Sequence, residues 1–286
     1  NGILTFTDES HRFNNDNALI NNGYIYTLFG DNIKKIDQNT GQLDVTFGNN
    51  GELSISNQNT GKLLFIHDDN FYMTRIGNEQ SPANTLFRVN FDGELVTSFG
   101  DNGFVTIYTA INFNALDNFN SNIVFDNSQY IYANIDNSNE NYSQIKKYDI
   151  DGNIVTGFGE NGIANLDNNS RFSSLQIFDN KIYLSGIDTS GNIPNLILIR
   201  RLINGAPDLS FNNSGLYIEN GNDYYEFTES LNILSNGKII AAGEFFNQDF
   251  RKIFIVQYQD NSLSIANFDN KPKIYITNPT TGKLEI

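Results

Sequence analysis

The residues of this chain that can do chemistry are mostly carboxylates. The sequence holds 33 Asp and Glu against 18 Lys and Arg, with two His and no Cys. Two carboxylates flanking a glycosidic bond can divide acid and base or nucleophile roles, so paired acids are the first pattern to seek. Asp69, Asp126 and Asp179 recur at comparable places, each closing an apolar stretch and each followed by Asn. Acids at such places read as turn formers. A catalytic set in a repetitive chain is expected to break the repetition, and the acids that do so are Asp8, Glu9, Glu52, Glu219, Asp223, Glu226 and Glu244. The histidines, His11 and His67, form no His-x-x-x-His or Glu-x-x-His pair, so no zinc-type site is expected. There is no Gly-x-Ser-x-Gly elbow, no Walker A loop and no Gly-x-Gly-x-x-Gly run opening a helix. Asp149-Ile-Asp151-Gly152-Asn153 carries part of a calcium-loop spacing but lacks the further ligands and the distal Glu, and reads as a turn. Tyr224-Tyr225-Glu226-Phe227 and Phe245-Phe246 are aromatic clusters, suited to sugar or partner contact if exposed and to packing between layers if not. The expectation is therefore no assignable catalytic residue, cofactor or metal.

Whatever chemistry exists must be positioned by a repeat. Leu43-Asp-Val-Thr-Phe-Gly-Asn-Asn-Gly51 returns as Leu95-Val-Thr-Ser-Phe-Gly-Asp-Asn-Gly103 and Ile154-Val-Thr-Gly-Phe-Gly-Glu-Asn-Gly162, then more loosely as Pro207-Asp-Leu-Ser-Phe-Asn-Asn-Ser-Gly215. Its phenylalanines, Phe47, Phe99, Phe158 and Phe211, step by 52, 59 and 53 residues, and Gly51, Gly103, Gly162 and Gly215 close each phrase. A period of this size marks a repeat architecture. Within each period a short apolar stretch ends in a turn, as in Leu64–Asn70 and Leu175–Asn180. A β-rich stretch follows, as in Tyr130-Ile-Tyr-Ala, Lys181–Gly186 and Lys238–Gly243. A third stretch alternates before a polar turn, and the phrase leads into a fourth. Alternation, β-branched and aromatic content, and Asn/Asp/Gly punctuation all indicate strands and hairpins. Asn22-Gly23, Asn50-Gly51, Asn102-Gly103, Asn161-Gly162 and Asn236-Gly237 accept the positive φ of a type I′ turn.

Four antiparallel strands repeated in this way describe the blades of a β-propeller. The expected fold is all-β, with five four-stranded antiparallel blades over residues 1–270. Asn1–Phe6 looks like the second half of the phrase and Leu263–Asn270 like its first half, so the two chain ends are expected to close the ring and remove an open edge. An incomplete sixth blade after residue 259 is the alternative. The phrase, paired with Asn236-Gly-Lys-Ile-Ile-Ala-Ala-Gly243, resembles the delta-60 repeat of bacterial secreted proteins over roughly residues 1–270. That resemblance implies a propeller-like fold and carries no common catalytic residue.

A formal net charge of −15 argues against nucleic acid and against anionic lipid surfaces as partners. No apolar stretch approaches the length of a membrane helix, and the most apolar run, Ile193–Ile203, is broken by Arg200 and Arg201. No leader segment is evident, and a chain that opens inside a repeat is expected from a processed N-terminus.

The character changes after Asn270. Residues 271–286 read as a hairpin or tail with turn residues at Asn278-Pro279 and Thr281-Gly282. They also resemble the start of the type A C-terminal sorting domain of the Bacteroidetes type 9 secretion system. Asn278, Pro279, Gly282, Leu284 and Ile286 match that family's opening, whereas Ile276 and Thr277 stand where it has Tyr and Pro. The resemblance implies a secreted or cell-surface protein exported across the outer membrane. Its partners would be the translocon and its barrel-shaped shuttle protein, reached through this signal. The function expected is a binding module, for a glycan or a surface protein. The alternative is a glycoside hydrolase or lyase with carboxylates near the propeller channel.

Overall fold

The computed structural model describes residues 18–55, 60–75, 77, 83–109, 119–126, 128–137, 142–166, 169–219, 225–246, 251–259, 273–278 and 283–285. They form five antiparallel sheets in chain order. The first holds β1 (Ala18–Asn21), β2 (Tyr24–Phe29), β3 (Asn32–Asp37) and β4 (Glu52–Ser54). The second holds β5 (Thr60–His67), β6 (Asn70–Arg75), β7 (Ala83–Asn90) and β8 (Phe104–Thr109). The third holds β9 (Phe119–Phe125), β10 (Tyr130–Asn137), β11 (Tyr142–Asp149) and β12 (Ile163–Asn165). The fourth holds β13 (Ser170–Phe178), β14 (Lys181–Asp188), β15 (Asn195–Leu202) and β16 (Leu216–Ile218). The fifth holds β17 (Tyr225–Ile233), β18 (Lys238–Phe246), β19 (Arg251–Gln259), β20 (Lys273–Asn278) and β21 (Lys283–Glu285). Each of the first four is a four-stranded up-and-down meander, the blade of a β-propeller.

Two compact units divide these sheets. One contains the first and second sheets with the Ile150–Asn153 turn; the other contains the third, fourth and fifth. Within each unit the core lies between consecutive sheets. Tyr26, Leu28, Phe47 and Leu53 pack with Phe71, Met73 and Phe87 in the first unit. Tyr132, Ile145 and Phe158 pack with Phe172 and Leu184 in the second, where Leu198 and Phe211 in turn meet Leu231, Ala241 and Phe254. The alternation read from the sequence is the cause: along Lys238–Phe246 every second residue is buried.

The phrase folds as one piece. Phe47, Phe99, Phe158 and Phe211 are all buried. In each, the phenylalanine carbonyl accepts the amide of the closing glycine, at 2.8, 2.9, 2.9 and 2.7 Å for Gly51, Gly103, Gly162 and Gly215. A side chain on Gly51 would also begin 2.4 Å from Leu43, the first residue of its phrase, at a φ of +90°. The apolar opening of the phrase therefore requires the glycine at its end. Two strands carry a bulge, at Phe172/Ser174 in β13 and at Thr228/Ser230 in β17. Opposite them stand Gly186 and Gly243, where a Cβ would lie 1.8 Å from the Arg171 carbonyl and 2.0 Å from that of Phe227. The glycine within each of these second strands is thus set by bulge geometry.

The turn readings fare unevenly. Asn22-Gly23 and Asn50-Gly51 take positive φ at both residues, as type I′ requires, but at Asn236-Gly237 only the glycine does. There the turn is a wider one, closed by the Gly237 amide on Leu234 and by the Leu234 amide on Lys238. The fifth sheet also differs from expectation at its edge. The strand beside β19 is β20, in register Ile253↔Ile276 and Ile255↔Ile274. Residues 273–278, read with 271–286 as a separate segment, thus supply this sheet's fourth strand, and β21 adds a fifth. The alternating Lys-Ile-Tyr-Ile-Thr-Asn run suits a strand, and the β19 edge requires a partner. Asn1–Phe6 and Leu263–Asn270, expected to join the chain ends, lie outside the described residues.

Replacing Phe158 by Ala should lower stability by about 3–5 kcal/mol, because the ring is fully enclosed. Urea unfolding measures it, and an unchanged midpoint would remove the wedge role of the phrase.

Candidate functional site

A feature missed in the sequence emerges on the third strand of each of the first four sheets. Lys35, Arg88, Lys147 and Arg200 pair directly across from Tyr26, Tyr72, Tyr132 and Tyr183. Each cation lies over the phenylalanine of its own phrase, at 5.8 Å for Lys35–Phe47, 5.4 Å for Arg88–Phe99, 6.0 Å for Lys147–Phe158 and 4.9 Å for Arg200–Phe211. Such contacts strengthen when water is excluded. Arg200 is fully buried, its Nε 2.7 Å from Asp208. Lys35 meets Asp44 at 2.8 Å and Arg88 meets Asp151 at 3.5 Å. The Lys35 ammonium and the Thr46 hydroxyl hold the Asp44 carboxyl down to about 2. These groups are structural: they hold the phrase against its strand.

The repeating acids serve turns. Asp69 and Asp179 carry positive φ, and Asp126 accepts the amides of Ser128, Gln129 and Tyr130. In the calcium-like segment, the Asp151 carbonyl accepts the Gly100 amide at 2.8 Å, and Gly152 sits against Gly100 and Phe99. The repeat-breaking acids are dispersed. Glu52 meets Lys34 at 3.0 Å. Glu219 accepts the Tyr258 hydroxyl at 2.6 Å. Glu226, 4 % exposed, accepts the Leu196 amide at 3.4 Å. Burial, then Glu219 and more weakly Glu226, push the Tyr258 phenol up. Glu244 faces Phe227 and Ile253 across its neighbouring strands. Asp8, Glu9, Asp223, Tyr224 and His11 lie outside the described residues, and His67 sits 3.3 Å from Asp68. Among the described residues no group of three or more His, Cys, Asp or Glu could hold a metal. The aromatic clusters split between faces. Tyr225 and Phe227 each stack on Phe246 at 5.4 Å, whereas Phe245 belongs to the core.

One buried acid was not singled out by sequence. Asp136 in β10 accepts the Phe172 amide at 2.6 Å and the Asn134 amide group at 3.0 Å, and also the Ser143 hydroxyl. Asn122 donates to the Phe172 carbonyl at 3.2 Å. The third sheet thus grips both backbone polar groups of Phe172, at the bulge of the fourth. Burial pushes the Asp136 carboxyl up to about 6, although three donors favour its charged form.

A cleft of about 350 Å³ opens between the third phrase with β12 on one side and the Asn204–Ala206 turn with Arg201 on the other. Three positions in its lining depart from the repeat. Gly157 stands where the other phrases have Thr46, Ser98 and Ser210, and Ala164 where they lead to Leu53, Val105 and Tyr217. Arg201 occupies the third-strand position held elsewhere by Ile36, Val89, Tyr148 and Tyr258, all buried. Its guanidinium donates to the Gly205 carbonyl at 3.2 Å and the Asn165 carbonyl at 3.1 Å. No carboxylate among the described residues pairs with it, and burial pulls its value down. Glu160, Asn165 and Asn204 line the same space.

No family model matches the chain, and no curated protein matches it. Solved structures resemble it in fold. Hydrazine synthase of Kuenenia stuttgartiensis is 10 % identical with a TM-score of 0.46, over 82 % of this chain and 61 % of that one. Oligopeptidase B of Trypanosoma brucei is 10 % identical with a TM-score of 0.49, over 90 % and 31 %. PorZ, a surface component of the type IX secretion system of Porphyromonas gingivalis, is 12 % identical with a TM-score of 0.41, over 91 % and 34 %. The chain spans less than two thirds of the length of each. At such identities the likeness concerns fold alone.

Asp136 predicts a pH dependence. Its folded value, about 6, lies above the ordinary 3.8, so between these values the native state holds more protons than the unfolded one. The stability this contributes is present at low pH and is lost as pH rises through about 6, by roughly 3 kcal/mol. Relative to wild type, Asp136→Asn should therefore gain stability as pH rises from 4 to 7, read as the difference between the two unfolding midpoints. A difference independent of pH would place the carboxylate in water.

Proposed function

We propose that this chain is a secreted or cell-surface β-propeller that acts by binding, with a glycan as the ligand class. The observation that carries this is the cleft. Its lining includes residues that depart from an otherwise regular repeat, and departures of that kind mark positions not dictated by packing alone. The hydrolase alternative requires carboxylates able to flank a substrate bond. Glu226 is too enclosed for that, and Glu219 and Glu52 are held by Tyr258 and Lys34.

Export is proposed through the type 9 route. Its support is the match of Asn278, Pro279, Gly282, Leu284 and Ile286 to the opening of a type A sorting domain. Asn278 ends β20 and Leu284 lies in β21, which pair as a hairpin through Asn278↔Lys283; Pro279, Gly282 and Ile286 lie outside the described residues. Because β20 also covers the β19 edge, deleting residues 271–286 would disturb the fifth sheet together with any signal. Export is therefore better tested by changing the host than the chain.

Two outcomes are expected. Incubated with a panel of bacterial and plant polysaccharides, the protein should be retained by at least one without releasing new reducing ends. Release would make it a hydrolase, and no retention would end the glycan reading. Expressed as its full-length natural product in a bacterium with a working type 9 translocon, it should reach the surface or medium, and in a translocon-deficient strain it should stay periplasmic. Equal appearance outside both strains would remove the sorting reading.

A further inference from the structure

The cleft on the third and fourth sheets has a chemistry of its own. A cation in a position that the fold otherwise fills with Ile, Val or Tyr is costly to desolvate, and such groups are normally paired. Arg201 is not paired with any described carboxylate: only two neutral carbonyl oxygens receive its hydrogen bonds. Those two bonds fix the guanidinium between the end of β12 and the Asn204–Ala206 turn. A planar fork held in place is suited to a carboxylate, which it can meet with two parallel hydrogen bonds. The loop Gly157-Phe-Gly-Glu-Asn-Gly162 invites comparison with phosphate-binding turns, but the amides of Phe158, Gly159, Glu160 and Gly162 are occupied. Gly159 donates to the Asn204 carbonyl, Glu160 to Ile163 and Gly162 to Phe158. A phosphate nest needs successive amides open, so the anion is assigned to Arg201.

The surroundings narrow the ligand. The side chains of Glu160 and Asn165 line the cleft without a hydrogen-bonded partner among the described residues, and both are exposed. They can bind hydroxyl groups as acceptor and as donor with acceptor. The volume is at the small end of ligand pockets, about 300–1,000 Å³, which fits one sugar residue better than a chain. The chain's net charge of −15 repels a polyanion at long range, whereas a single charge is screened beyond roughly 8 Å in physiological salt. We propose that this cleft binds one uronate residue carried on an otherwise neutral glycan, its carboxylate on the Arg201 guanidinium and its hydroxyls on Glu160 and Asn165. This rests on the glycan-binding reading and assigns its site.

The test is isothermal titration of the full chain with a xylo-oligosaccharide bearing one glucuronate, and with unsubstituted xylotetraose. The substituted probe should bind, and the neutral one should bind about tenfold or more weakly. Arg201→Leu, which restores the apolar residue of the other sheets, should lose that preference while keeping the wild-type unfolding midpoint. Arg201→Lys, which retains the charge without the fork, should fall between the two and reports even if the leucine variant folds poorly. If both variants bind the substituted probe as wild type does, or if both probes bind wild type equally, this site is overturned while glycan binding stands. Failure of both probes also overturns it, and retention on the polysaccharide panel then decides the broader reading independently.

Discussion

A cation pressed against aromatic rings and largely shielded from water organises each of the first four sheets. Lys35, Arg88, Lys147 and Arg200 lose hydration there, and ring faces together with nearby carboxylates replace it. The arrangement joins three separate stretches of chain: a tyrosine on the second strand, the cation on the third, and the phenylalanine of the phrase. In three sheets the tyrosine and phenylalanine rings meet edge to face, at 5.8, 5.6 and 5.9 Å. The loop geometry of the phrase follows from the need to bring that ring back over the third strand. The fifth sheet lacks it: Ile240 and Gln257 stand where tyrosine and cation would face each other.

The sequence made the phenylalanine and glycine of this arrangement visible because they recur in type as well as in place. The cation was hidden because lysine and arginine exchange at one position, and because three of the four sit beside another basic residue that blurs the alternation. Lys34-Lys35, Lys146-Lys147 and Arg200-Arg201 read as polar doublets, and the last seemed only to interrupt an apolar run. In the structure the two arginines have unlike roles: Arg200 belongs to the core arrangement and Arg201 lines the cleft. Turn aspartates were legible because their hydrogen bonds are local, two to four residues away, as at Asp126. The strand covering β19 was harder to see because the phrase before it is degenerate, although Lys273 follows Phe268 by five residues as Glu52 follows Phe47 and Phe104 follows Phe99.

The same distinction separates the acids. Asp136 and Glu226 differ in sequence context, yet each reaches a backbone amide of an adjacent sheet within the second unit, at Phe172 and at Leu196. A carboxylate used this way satisfies a backbone donor of the neighbouring sheet and so serves assembly. Searching for catalysis among buried acids in such a fold therefore favours the wrong residues, since the most enclosed are those most completely engaged.

The converse argument gives Arg201 its weight. In a chain with nearly twice as many acidic as basic side chains, an arginine has many acids available to it, and Arg200, one residue away, takes Asp208. Arg201 instead binds two carbonyl oxygens, although Glu160 lines the same cleft. Neutral acceptors orient a guanidinium without cancelling its charge, so one positive group is held at close range while the molecule as a whole is negative. Opposed signs at short and long range discriminate by charge density. A ligand with one anionic group gains the local attraction and meets little repulsion, whereas each further charge adds only to the latter.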